Sequence, residues 1–329
     1  MIKLLKNTGR VWSGYRQFRL EGRTPGKAYQ SLVNLFTATN GWSNDLLHRL
    51  TRHVASGAVT AADPNQLAKL RKDGLVELGK IMEPAISAGL LNWAEQSPGA
   101  PRPEGNFGDQ PDFRSTRSKI DTFHLRAGDL LKKRETQDLI SRPEILSLVT
   151  EYLGGAPYLS ACVGWWSTSN HVASDSARQN AQMFHFDMDR IKWLKLFIYV
   201  NDVSEQNGPH VFVEGSHRRG GQPNAIRRKG YQRILDEEIA RFYPPEKVKN
   251  IVGPAGTAFL ADTRGYHKGL TPVKGERLVL VLEFSSSLFG VNTKLGEEIP
   301  ITSPRLQQAK DEGLVLLENF NFKDLPKKI

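Results

Sequence analysis

Met183-Phe-His-Phe-Asp-Met-Asp189 and Trp193-Leu-Lys-Leu-Phe-Ile-Tyr-Val-Asn-Asp-Val203 lie three residues apart, and their reading decides the fold. Both runs are short, rich in aromatic and β-branched residues, and bounded by polar turn residues, which is the chemistry of strands. Four further runs share the pattern: Tyr158–Trp166, His210–Glu214, Gly256–Ala261 and Arg277–Ser286. No helical segment alternates with each strand in turn, which argues against a doubly wound parallel sheet. Short strands punctuated by Gly, Pro and Asn predict a mainly β fold of the sandwich, jelly-roll or barrel kind, with helices flanking it.

Upstream of these strands the period changes to that of helices. Helices are predicted over Lys27–Thr37, over Asn44–Ala55 with Ser43 or Asn44 as cap, from Pro64 to a stop at Gly74, and over Gly79–Glu95. Ser97–Asp112 reads as a loop. Ser141-Arg-Pro-Glu144 has the form of a capping box, with Pro143 tolerated in the first turn, for a helix ending at Gly154. Residues 218–250 interrupt the strands and look helical around Asp236–Phe242, and the tail from Ile299 reads as a peripheral helix and loop. The expected organisation is a basic helical extension over residues 1–64, a catalytic domain over 65–290 carrying the 218–250 insertion, and a tail over 291–329 packed on the domain.

The chain of 329 residues is 39% apolar and 24% charged, the composition of a globular protein. No apolar run approaches the roughly 20 residues needed to cross a bilayer, and Asn7, Gly9 and Arg10 interrupt any signal-like centre. The single cysteine, Cys162, excludes an internal disulfide and fits a reducing compartment, so the chain is read as cytoplasmic. The net charge of +10 is concentrated at the start, where residues 1–30 hold seven basic side chains against Glu21 alone. Leu4, Val11 and Phe18 recur at sevens there, with Leu5, Trp12 and Tyr15 near the same stripe. Residues 1–25 read either as a helix packing its aromatic residues on the domain or as a peripheral anchor on an anionic membrane. No recognisable nucleic-acid motif accompanies the charge, and no nucleic-acid partner is expected.

Chemistry concentrates at four residues. Strand residues two apart face the same side about 6.6 Å from each other, so His185 and Asp187 can reach one metal while Phe184 and Phe186 point the other way. His267 lies 82 residues after His185, just beyond a predicted strand, and Arg277 opens the next strand ten residues later. Two histidines and one carboxylate that leave coordination positions open form the facial triad of non-haem Fe(II) oxygenases. A guanidinium able to grip a carboxylate with two parallel hydrogen bonds is what a 2-oxo acid co-substrate would need beside it, and Arg277 is placed for that.

The segments Phe184-His-Phe-Asp187, Asn207-Gly-Pro-His-Val-Phe-Val-Glu-Gly-Ser-His217, Gly253-Pro-Ala-Gly-Thr257, Asp262-Thr-Arg-Gly-Tyr-His-Lys-Gly269 and Arg277 stand in an order and spacing that resemble the phytanoyl-CoA dioxygenase-like family. Leu70-Arg-Lys-Asp-Gly-Leu-Val76 is similar to that family's opening helix–strand junction, so the resemblance covers roughly residues 65–290. It implies a double-stranded β-helix, Fe(II), 2-oxoglutarate and O2, with decarboxylation to succinate. It also implies that His185, Asp187 and His267 are the metal ligands and Arg277 the partner of the 2-oxoglutarate carboxylate. Phe186 and Val279 stand where some relatives carry polar residues that help to hold 2-oxoglutarate. Lys195, Trp165 and Ser167 on neighbouring strands are then the candidates to complete that site. Halogenating relatives replace the triad carboxylate with a small residue. Asp187 is intact, so hydroxylation of an unactivated carbon is the expected reaction.

Arg264, Asp189 and Arg218 are candidate substrate contacts. The nine basic residues between Arg218 and Lys249 point to an anionic substrate, small or lipid-linked, or else to a solvated basic face. The remaining histidines, among them His48, His53, His124, His171, His210 and His217, read as structural. The rival expectations are a metal- or ligand-binding protein without turnover on the same fold, and a basic membrane-surface module.

Overall fold

A computed structural model of the protein describes residues 2–52, 60–170, 183–292 and 296–325. Seven antiparallel strands form the major sheet, in the order β1 (Leu75–Lys80), β8 (Thr257–Ala261), β5 (Trp193–Tyr199), β10 (Glu276–Ser285), β4 (Tyr158–Thr168), β3 (Thr122–Leu125) and β2 (Gly99–Arg102). A smaller antiparallel sheet runs β7 (Val248–Ile251), β6 (His210–Val213), β9 (His267–Gly269), and the tail adds a parallel pair, β11 (Glu298–Pro300) and β12 (Asn321–Lys323).

Alternation along the long strands gives the major sheet two chemically different faces. On β10, Leu278, Leu280, Leu282 and Phe284 join Leu194, Leu196 and Ile198 of β5 and Cys162 and Trp166 of β4 in one core. That core is covered by α4 (Pro64–Asp73), α5 (Pro84–Gln96), the short α6 (Phe113–Thr116), α7 (Ala127–Lys132), α8 (Arg134–Ile140) and α9 (Pro143–Leu153). The intervening residues point the other way, where Phe197, Tyr199, Val279, Val281 and Phe259 meet Phe212 and Ile251 of the smaller sheet. Two sheets facing each other across their own core, with helices on the outer face of the larger, make the double-stranded β-helix.

The extension is α1 (Ile2–Glu21), α2 (Gly26–Thr39) and α3 (Trp42–Thr51). Gly9 and Gly14 do not break α1. At Gly14 a Cβ would come within 2.1 Å of the Ala28 Cβ, so glycine there permits the close approach of α1 and α2. Val11 is buried, and Tyr15 and Phe18 pack edge-on against Phe289 at 5.5 and 5.6 Å, which ties α1 to the core under the triad-bearing segment. The insertion contains α10 (Asn224–Arg227) and α11 (Asp236–Ala240), and the tail contains α12 (Pro304–Asp311).

Several local expectations are corrected. Residues 183–189 form isolated bridges, Phe184 with Ile234 and His185 with His267, and no continuous strand, because the Asp187 N–H turns away to donate to the Thr263 carbonyl at 2.7 Å. Residues 79–95 are not one helix: β1 takes Leu75–Lys80 through pairing with β8, and α5 begins only at Pro84. The cap of α3 is Gly41 at φ 80°, while Asn44 is buried inside the helix and donates to the Ile191 carbonyl at 3.2 Å. Ser141 makes no capping box, since its hydroxyl donates back to the Gln137 carbonyl and Arg142 occupies the cap position. The loop over 97–112 includes β2, held as an edge strand by β3.

Candidate active site

The antiparallel bridge between His185 and His267 brings the triad together: His185 N–H donates to the His267 carbonyl at 3.0 Å and His267 N–H to the His185 carbonyl at 2.8 Å. The two imidazoles lie 4.3 Å apart between centroids, and the ligand atoms of His185, Asp187 and His267 all lie within 4.8 Å of one another. Each ring is oriented through its Nδ1, which faces a backbone carbonyl two residues earlier, Met183 for His185 at 3.2 Å and Gly265 for His267 at 3.0 Å. A neutral ring donating from Nδ1 presents a bare Nε2, and those atoms lie 3.8 and 3.4 Å from the Asp187 oxygens.

Charge states follow from the surroundings. Burial, aided by the neighbouring His267, pushes His185 down to about 3, so its ring is neutral in ordinary conditions. Burial alone would raise the Asp187 carboxyl, but Lys195 and His267 hold it well below the usual carboxylate range. The Lys195 ammonium donates to Asp187 and Asp189 at 2.8 Å each and lies 3.6 Å from Glu283. Cross-strand register accounts for the last of these contacts, because Lys195 on β5 stands opposite Glu283 on β10. Burial pushes Glu283 up to about 7 against the pull of Lys195.

The same register places Arg277 directly opposite Ser167, whose hydroxyl accepts from a guanidinium N–H at 3.2 Å. Arg277 is 5% exposed, its Nε has no partner among the described residues, and no carboxylate there pairs with it. Burying a guanidinium without a counter-charge is costly, and burial accordingly lowers its affinity for its proton. A ligand carboxylate would supply the missing charge.

These residues line one cavity of about 820 Å3 between the two sheets. Its walls are largely apolar, with Val163 and Trp165 from β4, Val279 and Val281 from β10 and Phe197 from β5, and Arg102 and Arg233 also line it. Of the residues expected from the sequence, the structure brings together His185, Asp187, His267, Arg277, Ser167, Trp165, Lys195 and Asp189. Arg218 and Arg264 do not line this cavity. They border a second one, where Arg264 is held by Asp262 through Nε and Nη2 at 2.9 and 2.6 Å. Phe186 packs on Phe36 at 5.6 Å and does not line the cavity with His185 and Asp187, while Val279 lines it opposite Trp165 and Tyr199.

Sequence reasoning missed His210. It is fully enclosed on β6, stacked 5.5 Å from His267 and 4.6 Å from Phe197, with Nε2 unpartnered among the described residues. Burial, then the neighbouring His267 and Arg277, keeps it neutral. The available signal was the pairing of β6 with β9, which sequence spacing does not reveal. His53 and His171 lie outside the described residues.

The donor set fits Fe(II): two imidazoles and an ionised carboxylate on one side, leaving the cavity side open. The phytanoyl-CoA dioxygenase family model matches residues 70–271. Among solved structures, EctD from S. alaskensis in its apoform is 15% identical, covering 71% of this chain and 81% of that one at a TM-score of 0.49. HygX from Streptomyces hygroscopicus, with nickel and 2-oxoglutarate bound, is 14% identical over 72% of this chain and 92% of that one, at 0.48. The alpha-ketoglutarate-dependent carbocyclase SnoK from nogalamycin biosynthesis is 14% identical over 69% and 87%, at 0.45. No curated protein sequence matches the chain.

Proposed function

Since the chain belongs to the phytanoyl-CoA dioxygenase family of Fe(II)- and 2-oxoglutarate-dependent oxygenases, we propose that it hydroxylates an unactivated carbon of a small or lipid-linked, anionic substrate. The observation that carries this reading is the shared cavity: a His–Asp–His triad and a buried arginine without an acid face the same 820 Å3 space. His185, Asp187 and His267 would hold the iron, and Arg277 with Ser167 would take the far carboxylate of 2-oxoglutarate. When bound, that pair supplies the oxidising power from O2, with release of succinate and CO2.

The protein's own part is positional. Lys195 keeps Asp187 ionised and aimed, the Met183 and Gly265 carbonyls fix the rings, and the two sheets enclose the reacting carbon away from water. The apolar walls suit a hydrocarbon body, and Arg102 and Arg233 at the same cavity suit an acidic group on it. Intact Asp187 favours hydroxylation, because no ligand position is given up to a halide.

For residues 1–25 the contacts of Val11, Tyr15 and Phe18 support a helix packed on the domain. Leu4, Leu5, Trp12 and Leu20 are left outward, 41, 66, 40 and 87% exposed, and these would have to carry any membrane contact. No helix among the described residues is long and apolar enough to cross a membrane.

The test is anaerobic addition of Fe(II) and 2-oxoglutarate to metal-free protein. A visible charge-transfer band, lost or weakened in Asp187→Ala and in Arg277→Ala, is the expected result. A folded, metal-free protein that gives no band would instead be a binding protein without turnover.

A further inference from the structure

Five basic side chains converge on a second cavity, of about 230 Å3, on the far side of the triad-bearing segment. Arg71 comes from the end of α4, Lys192 from just before β5, Arg218 and Arg219 from the turn after β6, and Arg264 from the loop before β9. The only acid on its wall among the described residues is Asp45, 3.9 Å from an Arg264 nitrogen. Asp262 lies beneath, but it is already taken by Arg264 and by the Tyr152 hydroxyl, which donates to it at 2.6 Å.

The other cations are not neutralised by charge. Arg71 donates to the Glu151 carbonyl at 3.3 Å and Lys192 to the Tyr152 carbonyl at 2.6 Å, which are dipoles. Arg218 and Arg219 are exposed at the rim and form no ion pair among the described residues. Burial, then the nearby Arg264, pushes Lys192 down to about 8, the mark of a cation short of counter-charge. The wall also holds Gln222, 4% exposed, whose amide nitrogen donates to the Arg264 carbonyl while its Oε1 has no partner among the described residues.

A concave site with a buried polar wall, a rim of two unpaired arginines and a surplus of positive charge is complementary to a compact, multiply charged oxyanion. A single carboxylate would leave most of that charge uncompensated, whereas a phosphate presents oxygens in several directions at once. The geometry points to a second ligand site, separate from the oxygenase cavity, that binds the phosphate group of inorganic phosphate or of a phosphate monoester. An orphaned Gln222 Oε1 suits a phosphate that still carries one proton to donate. Phe36 lines this cavity and packs on Phe186, which stands between His185 and Asp187 in the chain, so one aromatic pair lies between the two sites. The assignment does not depend on the oxygenase reading.

The experiment is calorimetric titration of inorganic phosphate, and separately of glycerol 3-phosphate, into the full chain at about 0.15 M salt, where diffuse surface attraction is largely screened. Saturable binding at one site is expected. It should be weakened roughly tenfold or more in Arg218→Ala/Arg219→Ala, the effect of losing hydrogen bonds to a charged group, and be unchanged in Arg277→Ala. Both rim arginines are exposed, so an unchanged thermal midpoint checks that the double variant is folded. Tighter binding of glycerol 3-phosphate supports an organic ester as the ligand, and equal or tighter binding of phosphate supports the free ion. No saturable binding of either overturns the assignment. So does binding lost in Arg277→Ala and kept in the rim variant, which would put the anion in the oxygenase cavity.

Discussion

Arg277 and Arg264 are both buried, 5 and 6% exposed, yet the two cavities use them in opposite ways. Arg264 is matched within the chain by Asp262, so it shapes the wall of its cavity and leaves the ligand to the unpaired arginines at the rim. Among the described residues Arg277 has the Ser167 hydroxyl and no acid, so a ligand carboxylate would supply the missing charge. The difference teaches that burial alone does not mark a binding arginine. What marks it is burial without an acid, because that is where a ligand gains most from arriving.

The sharpest way to break the comparison is at the triad. Asp187→Ala removes the carboxylate of the triad and leaves Lys195 to Asp189 and Glu283. Iron bound per chain should fall to background by metal analysis, a loss beyond the roughly 10–100-fold seen when only a supporting residue is removed. Retained iron would sink the triad assignment. Next, Arg277→Ala should cost about 2–5 kcal/mol of 2-oxoglutarate affinity with iron binding intact, read by titrating the charge-transfer band. An equal loss from Arg264→Ala, in a protein shown to be folded, would erase the distinction between the two arginines.

A smaller effect is expected at Lys195→Met. This variant keeps the stem and removes the charge that holds Asp187, so iron affinity should fall roughly 10–100-fold, measured by competition with a chelator. Its partner Glu283 would then remain protonated to higher pH.

The second cavity and its surroundings are predicted to be acid-sensitive, as the triad cavity is through His185 and His210. Burial pushes His217 down to about 4 and His48 to about 3. Between those values and the unfolded value near 6.5, the unfolded chain binds more protons than the folded one, so stability falls as pH drops through that window. For His217 alone the loss is about 3 kcal/mol by pH 4. The midpoint of thermal unfolding should therefore decline below pH 6.5, and decline less in His217→Gln. A flat profile would contradict the burial of neutral imidazoles there.

The smallest effect concerns the extension. Leu5→Ser/Leu20→Ser is expected to leave sedimentation with anionic vesicles unchanged, since the packed side of α1 is Val11, Tyr15 and Phe18. A clear drop would establish the outward residues as a lipid contact.

The sequence alone determined the strand-rich class, the triad and Arg277. His185, Asp187, His267 and Arg277 rest on residue type, spacing and the family resemblance, since residues 183–189 form isolated bridges and not a continuous strand. The strand-rich class rests on local rules: apolar runs with turn residues announce β4, β5 and β10. The glycine at the end of α4 was legible for the same reason, since Gly74 adopts φ 78° at the helix stop. Tertiary structure decided everything that depends on which strand lies beside which. Register set Lys195 against Glu283 and Arg277 against Ser167, pairing of β6 with β9 carried His210 beside His267, and pairing with β8 made Gly79 and Lys80 the end of a strand where a helix start was expected. It also decided that Arg218 and Arg264 lie apart from the triad cavity. Long-range pairing and the burial of charge are properties of the packed chain, and no local period encodes them.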